Sequence, residues 1–513
     1  MTIVQSERTA DPRPAEPGPI PALVGLLEEC LAAARFCSWK SNEHLAEGLA
    51  GRTDLDLLVA RQDAAAFREV LDRHGLKRLS PAAGADHPGM EHFLGIDRAS
   101  GRLFHLHVHT QLVLGEHHVK NHRIPLEEAF LASVQLQDGV PVPARELELA
   151  ILSVRALLKY RPRDAVKDVL KIRTPGLKPA VRAELDWLLE RTTPEAVHAA
   201  LETTGDVVPP EVVGDLLATY RRDPRAGAAL WRLRRRIRAD LKPVQRTGRA
   251  AAAGAAWRGF RTDRVRRRRP WEHRMTPSTG GLTVAVIGAD GSGKSTVTED
   301  LRRWLAWKLS VRSFYLGSKA PSAASRGSYL VFRAFRRAGT AVGPRLAERF
   351  PFATGRDLAL ASHHLANARD RDRRYRQGRR DAARGRVVLF DRFPLTALDP
   401  REDLRVLDGP RIAGFDRTRR SRVLQALAAA EERRYARLRL PDHVVVLQVE
   451  PDVALARKPD HDRAAIEAKS AATREAAALI ATRLGADRVS TLDAGMPLEQ
   501  VLRATKARLW DVI

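Results

Sequence analysis

Cysteine is scarce in this 513-residue sequence, with Cys30 and Cys37 the only two. Two thiols build neither a disulfide framework nor a cysteine-ligated zinc site, and their rarity suits a reducing compartment. Long hydrophobic runs are also missing. No stretch of about 18 uncharged apolar residues occurs, so no transmembrane span is expected. The opening MTIVQSERTADPRPAEPGPIP lacks a basic segment followed by an apolar one. It is expected to be a disordered tail over residues 1–19, not a secretory signal, and the product to be cytoplasmic. Acid is under-represented, with 62 Asp and Glu against 88 Lys and Arg and a formal charge of +26. Half of that excess lies between Arg232 and Arg274, where 16 basic residues meet only Asp240, Asp263 and Glu272. Arginine far outnumbers lysine and alanine is abundant, a bias that genome composition alone produces, so the global charge says little about a polyanionic partner. The 44% hydrophobic content is enough for the cores of two or three domains.

The most informative stretch runs from Thr283 to Leu309. Thr283 to Ile287 is a short, largely apolar, β-branched run of the kind a buried parallel strand needs, and Gly288 ends it. GADGSGKST follows, over residues 288–296. Then Val297, Leu301, Trp304, Leu305 and Leu309 recur at helical spacing. Strand, glycine turn and helix in this order describe a phosphate-binding loop. Gly288, Gly291 and Gly293 let successive backbone N–H groups face one way, at a helix N-terminus that favours anions. Lys294 is expected to reach the β- and γ-phosphates of ATP, and the Ser295 hydroxyl to ligate Mg²⁺. Asp290, Ser292 and Thr296 complete the candidate nucleotide-binding set.

Toward the N-terminus, residues 51–59 (GRTDLDLLV) place Asp54 and Asp56 two apart on a strand, so both carboxylates share a face. Residues 103–110 (LFHLHVHT) put His105, His107 and His109 on one face of another strand. The Asp pair resembles that of the nucleotidyltransferase superfamily, whose third carboxylate stands on a later strand. That later strand carries histidines here, whereas Mg²⁺ prefers oxygen ligands. Residues 139–152 and 163–172 resemble the helical half of nucleotidyltransferase-like proteins. Two readings of Asp54 and Asp56 stay open: metal ligands, or solvated residues on a half-buried strand beside histidines that line an exposed face. Helical periodicity continues over residues 146–245. Residues 246–280, rich in Ala, Gly and Arg, read as a basic linker. Trp231, Trp257, Phe260 and Trp271 interleave with its arginines, a mix that suits a solvated linker or contact with nucleic acid, a partner or an anionic membrane.

After the phosphate loop, strand-like runs at residues 311–317, 386–394, 443–451 and 488–494 alternate with helical ones, which implies a doubly wound parallel sheet. Ligands in such sheets bind at the carboxyl ends of the strands, where Asp391, Arg392 and Glu450 fall. Residues 281–513 resemble the thymidylate kinase family of nucleoside-monophosphate kinases through four features: Asp290 in the loop, the FDRF run, Arg369 in HLANAR, and VEPDVALARKPDHDR. The resemblance implies that Asp391 organises Mg²⁺ and acceptor, and that Arg392 and Arg369 bind acceptor phosphate. Asp290 would sit near the acceptor sugar, and Arg457, Lys458 and Arg463 would be lid cations. No basic residue lies between Gly288 and Gly293, so the lid is the expected source of the transition-state cation; ordinary surface charge is the other reading of Arg457 and Lys458. The family's Arg-Glu-Pro-Gly-Gly and Ser-x-x-Ala-Tyr-Gln runs, which shape the acceptor pocket, are replaced by YLGSKAPSAASRGS and PLTALDPREDLRVLDGP.

The expected architecture is α/β: a C-terminal phosphate-loop domain with a doubly wound parallel sheet, preceded by an α+β nucleotidyltransferase-like domain (residues 20–145) with a helical extension. The expected function is ATP- and Mg²⁺-dependent phosphorylation of a small-molecule acceptor, thymidine monophosphate by family default. The alternatives are a nucleotide-binding switch, or a bifunctional kinase and nucleotidyltransferase. A homodimer is a further candidate assembly.

Overall fold

The computed structural model describes residues 18–82, 86–116, 119–169, 176–205, 207–268, 274–317, 321–342, 352–395, 407–415, 418 and 421–513. Two compact units result. One is drawn from Met1–Leu76, His87–Asp97 and Arg102–Trp257, the other from Lys77–Asp86, Arg98–Gly101 and Arg258–Ile513.

In the first unit, helix α1 (Pro21–Ala33) precedes strands β1 (Phe36–Ser38), β2 (Leu55–Val59), β3 (Met90–Asp97) and β4 (Arg102–His109). These strands lie in the order β1-β2-β4-β3, with β2 parallel to β4 and the other pairs antiparallel. Alternation along each strand sends Leu55, Leu57, Phe93, Leu106 and Val108 to one face, where α1 supplies Leu23, Leu26 and Cys30. The other face receives Asp56, His92, His105 and His107, because Asp56 and His92 both stand opposite His107. Helix α2 (Arg145–Lys159) follows, with Leu149 and Val154 fully buried at the centre of a second cluster. Helices Pro179–Leu189, Pro194–Glu202, Pro210–Arg222 and Gly227–Asp240 contribute to that cluster.

The second unit is built on five parallel strands: β5 (Leu282–Gly288), β6 (Val311–Tyr315), β7 (Val387–Asp391), β8 (His443–Gln448) and β9 (Val489–Asp493). Their order is β6-β7-β5-β8-β9, which meets the doubly wound expectation. The connection direction reverses at β5, so the crevice at its carboxyl end is the natural ligand position. Strand β5 is buried along nearly all its length. Its one buried hydroxyl, on Thr283, accepts from the Asp442 N–H (3.0 Å) and donates to the Asp442 carboxylate (2.7 Å). Helices α3 (Lys294–Leu305), α4 (Phe352–Ala382) and α5 (Arg463–Leu484) follow in the chain.

The stretch whose composition reads as linker is helical over Arg249–Arg268. Alanine and arginine are strong helix formers, and that preference prevails over the glycines among them. The tail expected over 1–19 falls outside the described residues except for Gly18 and Pro19, as does Trp271. No helix among the described residues is long and apolar enough to cross a membrane.

Candidate active site

Strand β5 ends at Gly288, whose φ is +156°, and a Cβ there would lie 2.5 Å from both the Leu447 carbonyl and the Ser292 hydroxyl. At Gly291, with φ +86°, a Cβ would lie 2.8 Å from the Ala454 carbonyl. Both positions therefore require glycine for space as well as for conformation. Gly293, also at positive φ, caps α3 and leaves the helix N-terminus pointing at the loop. The Lys294 ammonium is buried and folds back to donate to the carbonyls of Gly288 (2.9 Å) and Ala289 (2.5 Å). Burial, then the charge of Arg392, brings its pKa down to about 8 against the pull of Asp290, Asp391 and Asp408. The Ser295 hydroxyl donates to Asp391 Oδ2 at 2.8 Å. Asp391 Oδ1 and Ser292 Oγ are buried with no hydrogen-bond partner among the described residues. A loop shaped around glycines, a basic side chain at a helix N-terminus and an unspent carboxylate oxygen beside a serine suit a nucleotide triphosphate with Mg²⁺. Thr296 is exposed on the first turn of α3.

Asp290 accepts from Arg392 Nη2 at 3.1 Å and pairs with Lys469. Burial alone would raise its pKa; the hydrogen bond and charge of Lys469, with Lys294 and Arg392, hold it well below the usual carboxylate range. Arg392 has a left-handed backbone (φ +64°), its N–H donates to the Val286 carbonyl, and its guanidinium lies 3.7 Å from Asp408. Such a conformation costs a non-glycine residue on the order of 1–3 kcal/mol, and residues held in it cluster at functional sites.

The other expected residues divide. Arg369 is exposed on α4, whereas Arg371, two positions on, is buried and donates to the Leu316 carbonyl (2.6 Å), the Asp408 carboxylate (3.2 Å) and Tyr435. Arg371 and Arg392 thus converge on Asp408. Helix phase was the available signal, since Ala368, Arg371 and Tyr375 form the buried stripe of α4. Arg457 donates to the carbonyls of Ala494 (2.8 Å) and Gly291 (3.4 Å), which brings it to the phosphate loop. Lys458 beside it is half-buried, and Arg463 is paired with Asp452 and Glu467. Lys469, on α5, belongs to no motif, and only the folded chain brings it to Asp290.

In the first unit, the Asp pair lies among imidazoles. Asp54 Oδ1 is 3.0 Å from His105 Nδ1. Asp56 Oδ1 is 2.7 Å from Lys40 Nζ, 3.1 Å from His107 Nδ1 and 3.3 Å from His109 Nε2. The histidines do not line an exposed face: His105 and His109 are 1% and 4% exposed. Burial lowers the pKa of His109 to about 4 and that of His92 to about 2, so both are neutral at pH 7.

No protein-family model matches the chain. It is 28% identical over 236 residues to an uncharacterised ATP-binding protein, YghS, of Escherichia coli K12, a match covering 44% of this chain and 92% of that protein. It is also 28% identical over 233 residues to a thymidylate kinase of Leifsonia xyli, covering 45% of this chain and 94% of the kinase. Among solved structures, a deoxyadenosine kinase from M. mycoides with bound dATP covers 44% of this chain and 98% of its own, at 12% identity and a TM-score of 0.27.

Proposed function

We propose that the second unit is an ATP-using phosphotransferase that moves the γ-phosphoryl group to a small phosphorylated acceptor, with a nucleoside monophosphate the leading class and thymidine monophosphate the default. The observation that carries this reading is the meeting, at the carboxyl end of β5 and β7, of a donor half and an acceptor half. The donor half is the glycine loop with Lys294, Ser295 and Asp391. The acceptor half is Arg392, strained in its backbone and held between Asp290 and Asp408. A nucleotide switch has no use for a second phosphate-binding cation at that spot. The similarity to an ATP-binding protein and to a thymidylate kinase supports the same reading.

In this reading the loop N–H groups and Lys294 hold the donor phosphates, and Mg²⁺, held by Ser295 and Asp391, neutralises charge on them. Asp290 orients Arg392, whose guanidinium grips acceptor phosphate in a bidentate fork. Arg371 positions Asp408 and thereby Arg392. Arg457 lies close enough to the loop to act as the lid cation that the loop itself lacks. Nucleotidyl transfer by the first unit is not part of the proposal, because Asp54 and Asp56 stand among imidazoles and Lys40, with histidines on the later strand where a third carboxylate would be needed.

A screen of nucleoside monophosphates and sugar phosphates, read as ATP consumption, tests the proposal and names the acceptor. With the acceptor in hand, Arg392→Ala is expected to raise its KM about 10- to 100-fold while ATP affinity stays within about twofold, as loss of a charge-assisted phosphate contact would. An unchanged acceptor KM and kcat would remove Arg392 from that role.

A further inference from the structure

The Asp and His face of the first unit carries a site that the phosphotransferase reading does not use. We propose that His92, His105 and His107 bind one divalent transition-metal ion of the zinc type, with Asp54 and Asp56 as the carboxylates that orient the rings.

The backbone sets the arrangement. His92 stands directly opposite His107 in the antiparallel β3–β4 pair, and His105 is two residues before His107 on the same face. One ligand nitrogen from each can be chosen so that all three lie within 4.8 Å of one another. The ring centroids of His92, His105 and His107 are 4.6–5.5 Å apart. His92 is 7% exposed, and neither of its ring nitrogens has a hydrogen-bond partner among the described residues. A buried polar group without a partner costs about 1–3 kcal/mol, so a native chain that keeps one calls for a reason. A metal ion at the centre of the three rings supplies it.

The carboxylates fit outer positions better than inner ones. Asp54 lies against His105 Nδ1 at 3.0 Å and Asp56 against His107 Nδ1 at 3.1 Å. A carboxylate on Nδ1 holds the proton there and makes Nε2 the more basic ring nitrogen, the usual support of a metal-bound histidine. Neutral imidazoles select zinc-like ions over Mg²⁺. A second grouping, Asp56 with His107 and His109, shares His107. There Asp56 is already neutralised by Lys40 at 2.7 Å, which leaves the His92 side as the better home for a cation.

The test is zinc uptake by the full chain after chelator treatment and without nucleotide, by equilibrium dialysis with elemental analysis and with folding checked by circular dichroism. The expected result is one zinc per chain at a Kd below about 1 μM, undisturbed by millimolar Mg²⁺. His92→Phe, which keeps an aromatic ring in the stack, is expected to weaken binding at least 100-fold. Asp54→Asn is expected to weaken it about 10- to 100-fold. Cobalt(II) in place of zinc is expected to give tetrahedral visible absorption bands. Failure of the folded wild-type chain to hold zinc more tightly than His92→Phe would overturn the proposal. So would binding that survives His92→Phe but is lost in His109→Phe, since the ion would then belong to the other grouping.

Discussion

Two aspartates, each on a strand with a parallel neighbour and each close to a candidate metal position, have opposite surroundings. Asp391 in the second unit accepts one hydrogen bond, from Ser295, and keeps its other oxygen buried and unspent. Asp56 in the first unit meets a lysine and two imidazoles within 3.3 Å. A hard cation favours a carboxylate whose charge is not yet offset; at Asp56 a lysine and two imidazoles already gather on Oδ1, so it holds a further cation less well and orients the groups around it. A two-residue motif does not separate the cases, because the difference lies in what the fold brings to each carboxylate.

The comparison breaks most readily at Asp391. Asp391→Asn keeps a hydrogen-bond partner for Ser295 but removes the charge, and is expected to lower kcat about 100- to 1,000-fold. In the same steady-state assay, Asp54→Asn combined with Asp56→Asn is expected to leave turnover unchanged. Equal losses in the two variants would mean that the carboxylates do not differ as described.

A smaller effect is expected from the loop backbone. Gly291→Ala adds a Cβ at 2.8 Å from the Ala454 carbonyl, at a φ that L side chains rarely adopt. The strain, about 1–3 kcal/mol, is expected to weaken ATP binding about 5- to 100-fold in a calorimetric titration. Gly139 in the first unit also has positive φ but faces open space, so Gly139→Ala is expected to cost less and to leave ATP affinity alone.

The smallest effect concerns pH. Cations hold Asp290 down in the second unit, whereas burial and the charge of Glu184 push Glu43 in the first unit up to about 7. A carboxyl whose folded pKa lies above its unfolded value binds more protons when folded. Its contribution to stability therefore falls as pH rises from about 4.5 to about 7 and levels off beyond. Glu43→Gln is expected to stabilise the chain by about 1 kcal/mol at pH 8, after allowance for solvent screening, and to have little effect at pH 4. Urea unfolding at the two pH values measures this.

The second unit was more legible in the sequence than the first. Its site rests on a short contiguous motif, and the residues after β7 follow at once, so the spacing carries the geometry. A charged run on a long helix hides that Arg371 turns inward, and Lys469 meets a partner 179 positions away. In the first unit, strand alternation put the three histidines on one face. It did not show that the face is buried. Nor did it reveal His92, which reaches His107 only through the register of β3, a strand whose residues 90–97 carry no motif. The helix at Arg249–Arg268 was hidden by a composition that suits linkers and helices alike.

ATP-dependent phosphoryl transfer across a panel of nucleoside monophosphates, by the wild-type chain and by Lys294→Ala, tests the central claim most directly. Transfer by the wild type is expected, with about a thousandfold loss or more in a folded Lys294→Ala variant, because the ammonium at the loop would hold the phosphates. Wild-type turnover in Lys294→Ala, or transfer that depends instead on Asp54 and Asp56, would contradict it.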